Sequence, residues 1–222
     1  VEDKVCEAIL IAWFGGETGA KAIAETLVGL NNPAGRLPVS FPQDSYRIPC
    51  YYTVLPNNTV VMFEGSRRPR YEFGFGLSYT EFKYSNLKIE KHSELDYIVS
   101  VDIKNIGKVK GDEVVELYVN DKVSSIITPL KELKGFERIT LEAGETKTVE
   151  FKLDFDSFKL LNRHFEWVVE NGEFEILVGA SSRNILLTSS VNVASTCDKE
   201  VPEMKAMYPA YATADVKNIT DE

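Results

Sequence analysis

Three glutamates near the ends of predicted loops are the residues of this sequence that could act as a general acid or base. They are Glu17, Glu64 and Glu72. A carboxyl group held within reach of a reacting atom can transfer a proton in the transition state. A structural role is favoured for Glu17, because a negative charge at the start of a helix favours the positive end of the helix dipole. Solvation at the surface is favoured for Glu64, and we assign no catalytic residue to this chain.

Aromatic side chains beside turns form the second group of residues that could contribute to function, since an aromatic face can stack on the ring of a ligand. Trp13 precedes a Gly-Gly turn at the predicted carboxyl end of a strand, where open α/β sheets place their ligand crevices. Tyr51, Tyr52 and Arg67 lie on a loop over 43–70 without periodicity, and such loops in compact domains tend to be functional or disordered. We predict that these four residues bind substrate. The alternatives are a core position for Trp13 and a solvated surface for Arg67.

The elements that would position these side chains begin with an apolar run at 8–14, which predicts a buried strand. Apolar residues at helical spacing then predict a helix over 20–30, and a short extended piece follows at 36–42. A strand, a helix and a returning strand are typical of a parallel sheet, which needs more strands and cover on both faces than so short a segment supplies. We therefore expect residues 1–42 to be the end of an incomplete α/β domain.

An aromatic segment at 69–82 contains Gly74 and Gly76. It separates a part of the sequence with strand, helix and loop signals from a part with strand and turn signals only. Aromatics at this density favour burial, and the glycines permit close approach of the backbone, so we interpret 43–81 as a long loop and a packed hinge. Period-2 segments then predict one antiparallel β-sandwich over 82–194, followed by a tail or linker over 195–222. The predicted strands lie at 97–103, 115–119, 132–141, 147–153, 165–169, 174–178 and 185–193. The fold class is mainly β, with a partial α/β segment in front.

The composition limits the partners of this chain. A net charge of −9 and an isoelectric point near 4.9 argue against nucleic acid and anionic membranes. No apolar run approaches the roughly 18 residues of a membrane-spanning helix. We therefore expect a soluble protein and favour a cytoplasmic location over a secreted one. The three cysteines and two histidines are scattered without a metal-ligand spacing, so we expect no metal and no other cofactor.

Several motifs in one order carry a resemblance to a known family. The segment NPAGRLPVSFP at 32–42 resembles the end of the α/β sandwich domain of glycoside hydrolase family 3. The segment YEFGFGLSYT at 71–80 resembles the signature that leads into the family's fibronectin type III-like domain, with Glu72 in place of a proline. We expect that exchange to change only local rigidity. Three further segments match the last domain in order, namely GDEVVELYV at 111–119, PLKELKGF at 129–136 and GEFEILVG at 172–179.

The resemblance implies a retaining, exo-acting β-glycosidase of the β-glucosidase or β-xylosidase type, which removes terminal β-linked sugars. Such chemistry needs two carboxyl groups about 5 to 5.5 Å apart. In the family the nucleophile is an aspartate of a (β/α)8 barrel and the acid/base is a glutamate upstream of this segment, and neither motif occurs here. We therefore expect this chain to supply scaffold and part of the active-site rim, and to be inactive alone. The implied partners are the barrel, the rest of the α/β domain and a β-linked oligosaccharide or glycoside, with a homo-oligomer left open.

Two alternatives stay open at this point. The first is a stand-alone carbohydrate-binding or protein-interaction module. The strand-helix-strand segment argues against it, because such a module has no need for a partial sheet with exposed edges. The second concerns domain order, since the tail over 195–222 also fits an enzyme in which the barrel follows the sandwich.

Overall fold

The computed structural model describes residues 6–53, 68–162, 164–194 and 196. The prediction of a mainly β fold with antiparallel sheets is confirmed. The elements are α1 (Gly19–Leu27), β1 (Phe82–Lys91), β2 (Tyr97–Asn105), β3 (Gly111–Asp121), β4 (Glu132–Leu141), β5 (Thr146–Leu153), α2 (Phe155–Phe158), β6 (Leu160–Leu161), β7 (Trp167–Val168), β8 (Gly172–Gly179) and β9 (Ile185–Val193). Within the described ranges, no helix is long and apolar enough to cross a lipid bilayer.

Two antiparallel sheets form the sandwich. One has the strand order β1-β2-β5 and the other β4-β3-β8-β9, while β6 and β7 form a separate two-stranded sheet. Strand β2 shows why the sheets pack: Val99, Val101 and Ile103 are fully buried, and the residues between them are partly exposed. These side chains share one core with apolar residues of β3, β5 and β8. The period-2 pattern of the sequence therefore reflects one buried face on strands β2, β5, β8 and β9.

Strand β3 departs from this alternation because both of its faces are covered. Every residue from Val115 to Val119 is buried. Val115, Leu117 and Val119 belong to the core, whereas Glu116 and Tyr118 lie beneath side chains and backbone of the loop and the hinge. The outer face of an antiparallel sheet is commonly solvated. Here the segment ahead of the sandwich replaces the solvent over β3.

The N-terminal segment holds one of its three predicted elements as regular structure. Helix α1 overlaps the predicted helix at 20–30 and ends earlier. The segment 8–14, predicted as a strand, forms none, and its larger apolar side chains are exposed. A strand needs a hydrogen-bonding neighbour, and none of the described segments pairs with these residues. The extended piece at 36–42 is reduced to a single antiparallel bridge, which joins Phe41 to Tyr71.

The hinge is packed closely on both neighbouring segments. The Leu37 amide donates to the Phe75 carbonyl at 2.9 Å, and the Gly74 amide donates to the Leu37 carbonyl at 2.8 Å. Gly74 has φ of +82°, and a Cβ at this position would collide with the Glu116 carboxylate. A Cβ on Gly76 would collide with the backbone carbonyl of residue 35. Glycine is therefore required at 74 for the hinge to lie against β3, and at 76 for the hinge to lie against the N-terminal segment.

Candidate functional site

Trp13 lies at the exposed end of a row of aromatic rings. It is 59% exposed, and its ring centroid lies 6.3 Å from that of Phe41. Phe41 meets Tyr71 edge-on at 6.4 Å, and Tyr71 stacks on Phe75 at 5.1 Å. The row connects Trp13 to the hinge and leaves Trp13 accessible to a ligand. Both the substrate contact of Trp13 and the alternative of a core position stay predictions, because the proposed neighbours of residues 8–14 lie outside this chain.

The two tyrosines of the loop have different surroundings. Tyr51 is 72% exposed. Tyr52 stacks on Phe73 at 4.7 Å and meets Tyr118 edge-on at 5.9 Å, while its hydroxyl accepts a hydrogen bond from the Leu133 amide at 3.1 Å. Tyr52 thus ties the loop to the sandwich. Its contact with substrate stays a prediction, as does that of Tyr51.

The structure does not gather the predicted substrate-binding residues into one described cluster. Among the residues that it describes, no ring contact joins Trp13 to Tyr51 or Tyr52. Arg67 lies outside the described residues, and so does Glu64. Glu17 is exposed one residue before Thr18, the N-cap of α1. Glu72 accepts a hydrogen bond from the Ser181 hydroxyl at 2.9 Å, so it links the hinge to the sandwich.

A buried ion pair that sequence reasoning missed joins the N-terminal segment to the sandwich. Nη2 of Arg36 lies 2.8 Å from Oε2 of Glu113, and the side chains are 8% and 4% exposed. The Tyr84 hydroxyl donates to the other oxygen of Glu113 at 2.9 Å. Burial raises the pKa of Glu113, and the Arg36 charge opposes that rise. Both oxygens of the carboxylate are therefore satisfied by partners from two different parts of the chain.

A second buried carboxyl group lies next to this pair. The Tyr118 hydroxyl donates to Oε2 of Glu116 at 2.5 Å. Burial raises the pKa of Glu116 to about 7, against opposing contributions from the Tyr118 hydrogen bond and the Arg36 charge. Burial likewise raises the pKa of the Tyr118 hydroxyl, which keeps it a donor. The Lys131 ammonium lies 5.6 Å from the centroid of the Tyr118 ring.

These buried carboxyl groups hold segments together rather than act on a substrate. Glu113 and Glu116 are each 3% exposed beneath the N-terminal segment and the hinge, so a sugar has no access to them. The sequence did contain a signal for Glu113, because alternation places it on the same face of β3 as Val115 and Leu117. A charged side chain on the buried face of a strand needs a buried partner. In the part of the chain that the structure describes, no three His, Cys, Asp or Glu side chains converge to hold a metal ion.

Two family models match the chain. The model of the glycosyl hydrolase family 3 C-terminal domain matches residues 1–79, and that of the fibronectin type III-like domain matches residues 113–182. The chain belongs to glycoside hydrolase family 3. It comprises the end of the α/β sandwich domain and the fibronectin type III-like domain of that family. The two matched segments are the ones that the Arg36–Glu113 ion pair joins.

Named relatives agree with this assignment. A β-xylosidase of Formosa agariphila is 46% identical over 188 residues, which cover 79% of this chain and 25% of the relative. The thermostable β-glucosidase B of Acetivibrio thermocellus is 43% identical over 210 residues, covering 87% of this chain and 28% of the relative. The crystal structure of a β-glucosidase from Listeria innocua in complex with glucose superposes with a TM-score of 0.81 at 36% identity, over 87% of this chain and 29% of that one. The chain therefore spans about a quarter of the length of the curated relatives that it matches.

Proposed function

We propose that this chain is the C-terminal part of a retaining, exo-acting β-glycosidase of the β-glucosidase or β-xylosidase type. In that enzyme it acts as scaffold and contributes to the rim of the active site. The two reacting carboxyl groups come from the (β/α)8 barrel and from the preceding part of the α/β domain. Family membership supports this proposal, together with relatives named as β-glucosidases and β-xylosidases.

The exposed apolar side chains of the N-terminal segment are the observation that carries the scaffold role. They are Ile9, Leu10, Ile11 and Phe14 in one run, with Leu27, Val28 and Leu30 at and beyond the end of α1. Burying one large apolar side chain stabilises a protein by about 1.5 to 3 kcal/mol. Exposed apolar surface of this extent marks an interaction site. Its occupant in the proposed enzyme is the remainder of the α/β domain, whose strands would pair with residues 8–14.

A stand-alone binding module is the second candidate, and exposed aromatics of the sandwich favour it. Phe165 is 85% exposed and Trp167 is 57% exposed, so both present ring surface to solvent. A module that acts alone, however, needs no N-terminal segment held to it by a buried ion pair. The scaffold role accounts for that pair and for the apolar run, and it is the stronger candidate.

Residues are assigned to the rim of the active site by the exposure of their side chains. Trp13 and Tyr51 are accessible and would stack on a sugar of the substrate, whereas Tyr52 would hold the loop in place. Arg67 is retained as a polar partner of the substrate from its position in the sequence. A cytoplasmic location also remains part of the proposal, on the sequence argument alone.

A chimaeric enzyme tests the scaffold role. The C-terminal quarter of the Acetivibrio thermocellus β-glucosidase B that matches this chain is replaced by this chain, and the truncated relative without it serves as the comparison. We expect the chimaera to hydrolyse a chromogenic β-glucoside and the truncated enzyme to lose at least about tenfold in activity. A chimaera that folds, by circular dichroism and a cooperative thermal transition, but is no more active than the truncated enzyme would refute the scaffold role.

The rim assignment has its own test in the chimaera. Trp13→Ala and Tyr51→Ala should raise KM, because each removes stacking worth roughly 0.5 to 1.5 kcal/mol. Trp167→Ala is the matched control, since it removes an exposed aromatic of the sandwich and should leave KM unchanged. The reverse pattern, with KM sensitive to Trp167→Ala alone, would favour the binding module.

A further inference from the structure

The hinge rests directly on a buried carboxyl group. Glu116 is 3% exposed, and its oxygens lie where a Cβ on Gly74 would have to be. Among its described contacts, the hydroxyl of Tyr118 is the hydrogen-bond partner of this carboxyl group. An ionised carboxylate in such a place costs much more free energy than a neutral one, because burial removes its hydration. Ionisation of Glu116 would therefore place a charge directly beneath the hinge.

Charged and titratable groups face Glu116 from each element around it. They are Arg36 ahead of the hinge, Glu72 in the hinge, Glu113 and Tyr118 on β3, Tyr52 on the loop and Lys131 before β4. The guanidinium of Arg36 is engaged with Glu113, so it offsets the charge of Glu116 only in part. Glu113 and Glu72 repel that charge. Lys131 attracts it, but burial and the nearby Arg183 lower the pKa of Lys131 itself.

We infer that the hinge and β3 form a proton-dependent clasp, in which the neutral carboxyl group of Glu116 holds the hinge down and its ionisation loosens the hinge. The clasp joins the segment matched by the family 3 C-terminal domain to the fibronectin type III-like domain. Its action concerns only contacts inside this chain. The inference therefore stands or falls independently of the proposed glycosidase function.

The direction of the pH dependence follows from the balance of burial and charge. Burial raises the pKa of Glu116 from its ordinary 4.5 to about 7 in the folded chain. A group with a raised folded pKa stabilises the folded contact fully below its unfolded pKa and loses that contribution as the pH rises through its folded pKa. The contribution of the clasp is therefore complete below about pH 4.5, decreases as the pH rises from about 4.5 to about 7, and is lost above that range.

Hydrogen exchange on the 222-residue chain measures the clasp. The quantity is the protection of amides in the peptide 69–80 at pH 5.5 and pH 8.5, corrected for the intrinsic pH dependence of exchange. We expect protection to fall about tenfold or more over this interval, which corresponds to one pH unit or more of linkage. The peptide 97–105 in the core strand β2 should keep its protection, which separates a local opening from global unfolding.

Two variants separate Glu116 from other titrating groups. Glu116→Gln mimics the neutral carboxyl group and should reduce the pH effect on the hinge to less than twofold. Glu150→Gln, at an exposed position of β5, should retain the full effect of the unchanged chain. The clasp is overturned if hinge protection in the unchanged chain is independent of pH, or if Glu116→Gln keeps the full dependence.

A measurement without mutation covers the case in which Glu116→Gln fails to fold. The ¹³C chemical shift of the Glu116 carboxyl group should titrate with a midpoint near pH 7, and the fall in hinge protection with rising pH should level off near that pH. A midpoint below pH 5 would contradict the clasp as firmly as a hinge that does not respond.

Discussion

Replacing Arg36 by methionine tests the buried ion pair that joins the N-terminal segment to the sandwich. Methionine keeps an apolar stem but leaves the Glu113 carboxylate, 4% exposed, without its 2.8 Å partner. The carboxylate then escapes burial as a charge only by binding a proton. Protonation of a carboxylate above its ordinary pKa of 4.5 costs about 1.4 kcal/mol per pH unit. At pH 7 the cost of protonation is therefore about 3.5 kcal/mol. This agrees with the roughly 3 to 5 kcal/mol lost when one partner of a buried pair is removed.

The assay is urea unfolding of the chain at pH 7 and at pH 4.5. We expect Arg36→Met to lower the free energy of unfolding by about 3 to 4 kcal/mol at pH 7 and by less than about 1.5 kcal/mol at pH 4.5. Adding Glu113→Gln should restore most of the loss at pH 7, because the side chain at 113 then carries no charge. Arg138→Met is the matched control, since Arg138 pairs with Asp112 at 2.6 Å but its side chain is 60% exposed, and it should cost at most about 1 kcal/mol. A loss for Arg36→Met that is no larger than for Arg138→Met, or that is independent of pH, would refute this reasoning.

Three further substitutions follow from contacts of the hinge and the loop, and urea unfolding checks each. Gly74→Ala should lower the free energy of unfolding by about 2 kcal/mol more than Gly144→Ala does. Both glycines have φ above +80°, but of the two only Gly74 lacks room for a Cβ. Equal losses would mean that backbone conformation alone is responsible. Asn105→Ala should cost about 3 kcal/mol, since this fully buried amide donates to two backbone carbonyls and accepts from the Thr80 hydroxyl; a loss below about 1 kcal/mol would show that water replaces these bonds. Tyr52→Phe should cost about 1 kcal/mol, because the Leu133 amide loses its acceptor while the ring contacts remain; no change would argue against a tie between loop and sandwich.

The strands of the sandwich were predictable because most of them bury one face more than the other. The prediction of a strand at 185–193 coincides with β9, and that at 132–141 with β4. The first strand was harder to recognise. The register of β1 shifts between Ser85 and Lys88, and Asn86 between them has φ of +54°. Such a bulge interrupts the alternation of apolar and polar residues from which strands are predicted.

The contacts of the candidate site were not predictable to the same extent. Arg36 and Glu113 are 77 residues apart, and no local pattern links them. Glu116 occupies the face of β3 that alternation assigns to solvent, and only the fold shows that the hinge covers it. The predicted strand at 8–14 depended on neighbouring strands, which the described residues do not provide. Local periodicity thus predicted the sandwich, while the contacts between segments required the structure.

Hydrolysis of a chromogenic β-glucoside and a chromogenic β-xyloside by the purified 222-residue chain is the most direct test of the central claim, that this chain is a scaffold whose enzyme draws its reacting carboxyl groups from elsewhere. We predict no turnover above the uncatalysed rate with either substrate. Turnover that disappears on Glu17→Gln or Glu64→Gln would contradict the claim, because a carboxyl group of this chain would then perform the chemistry.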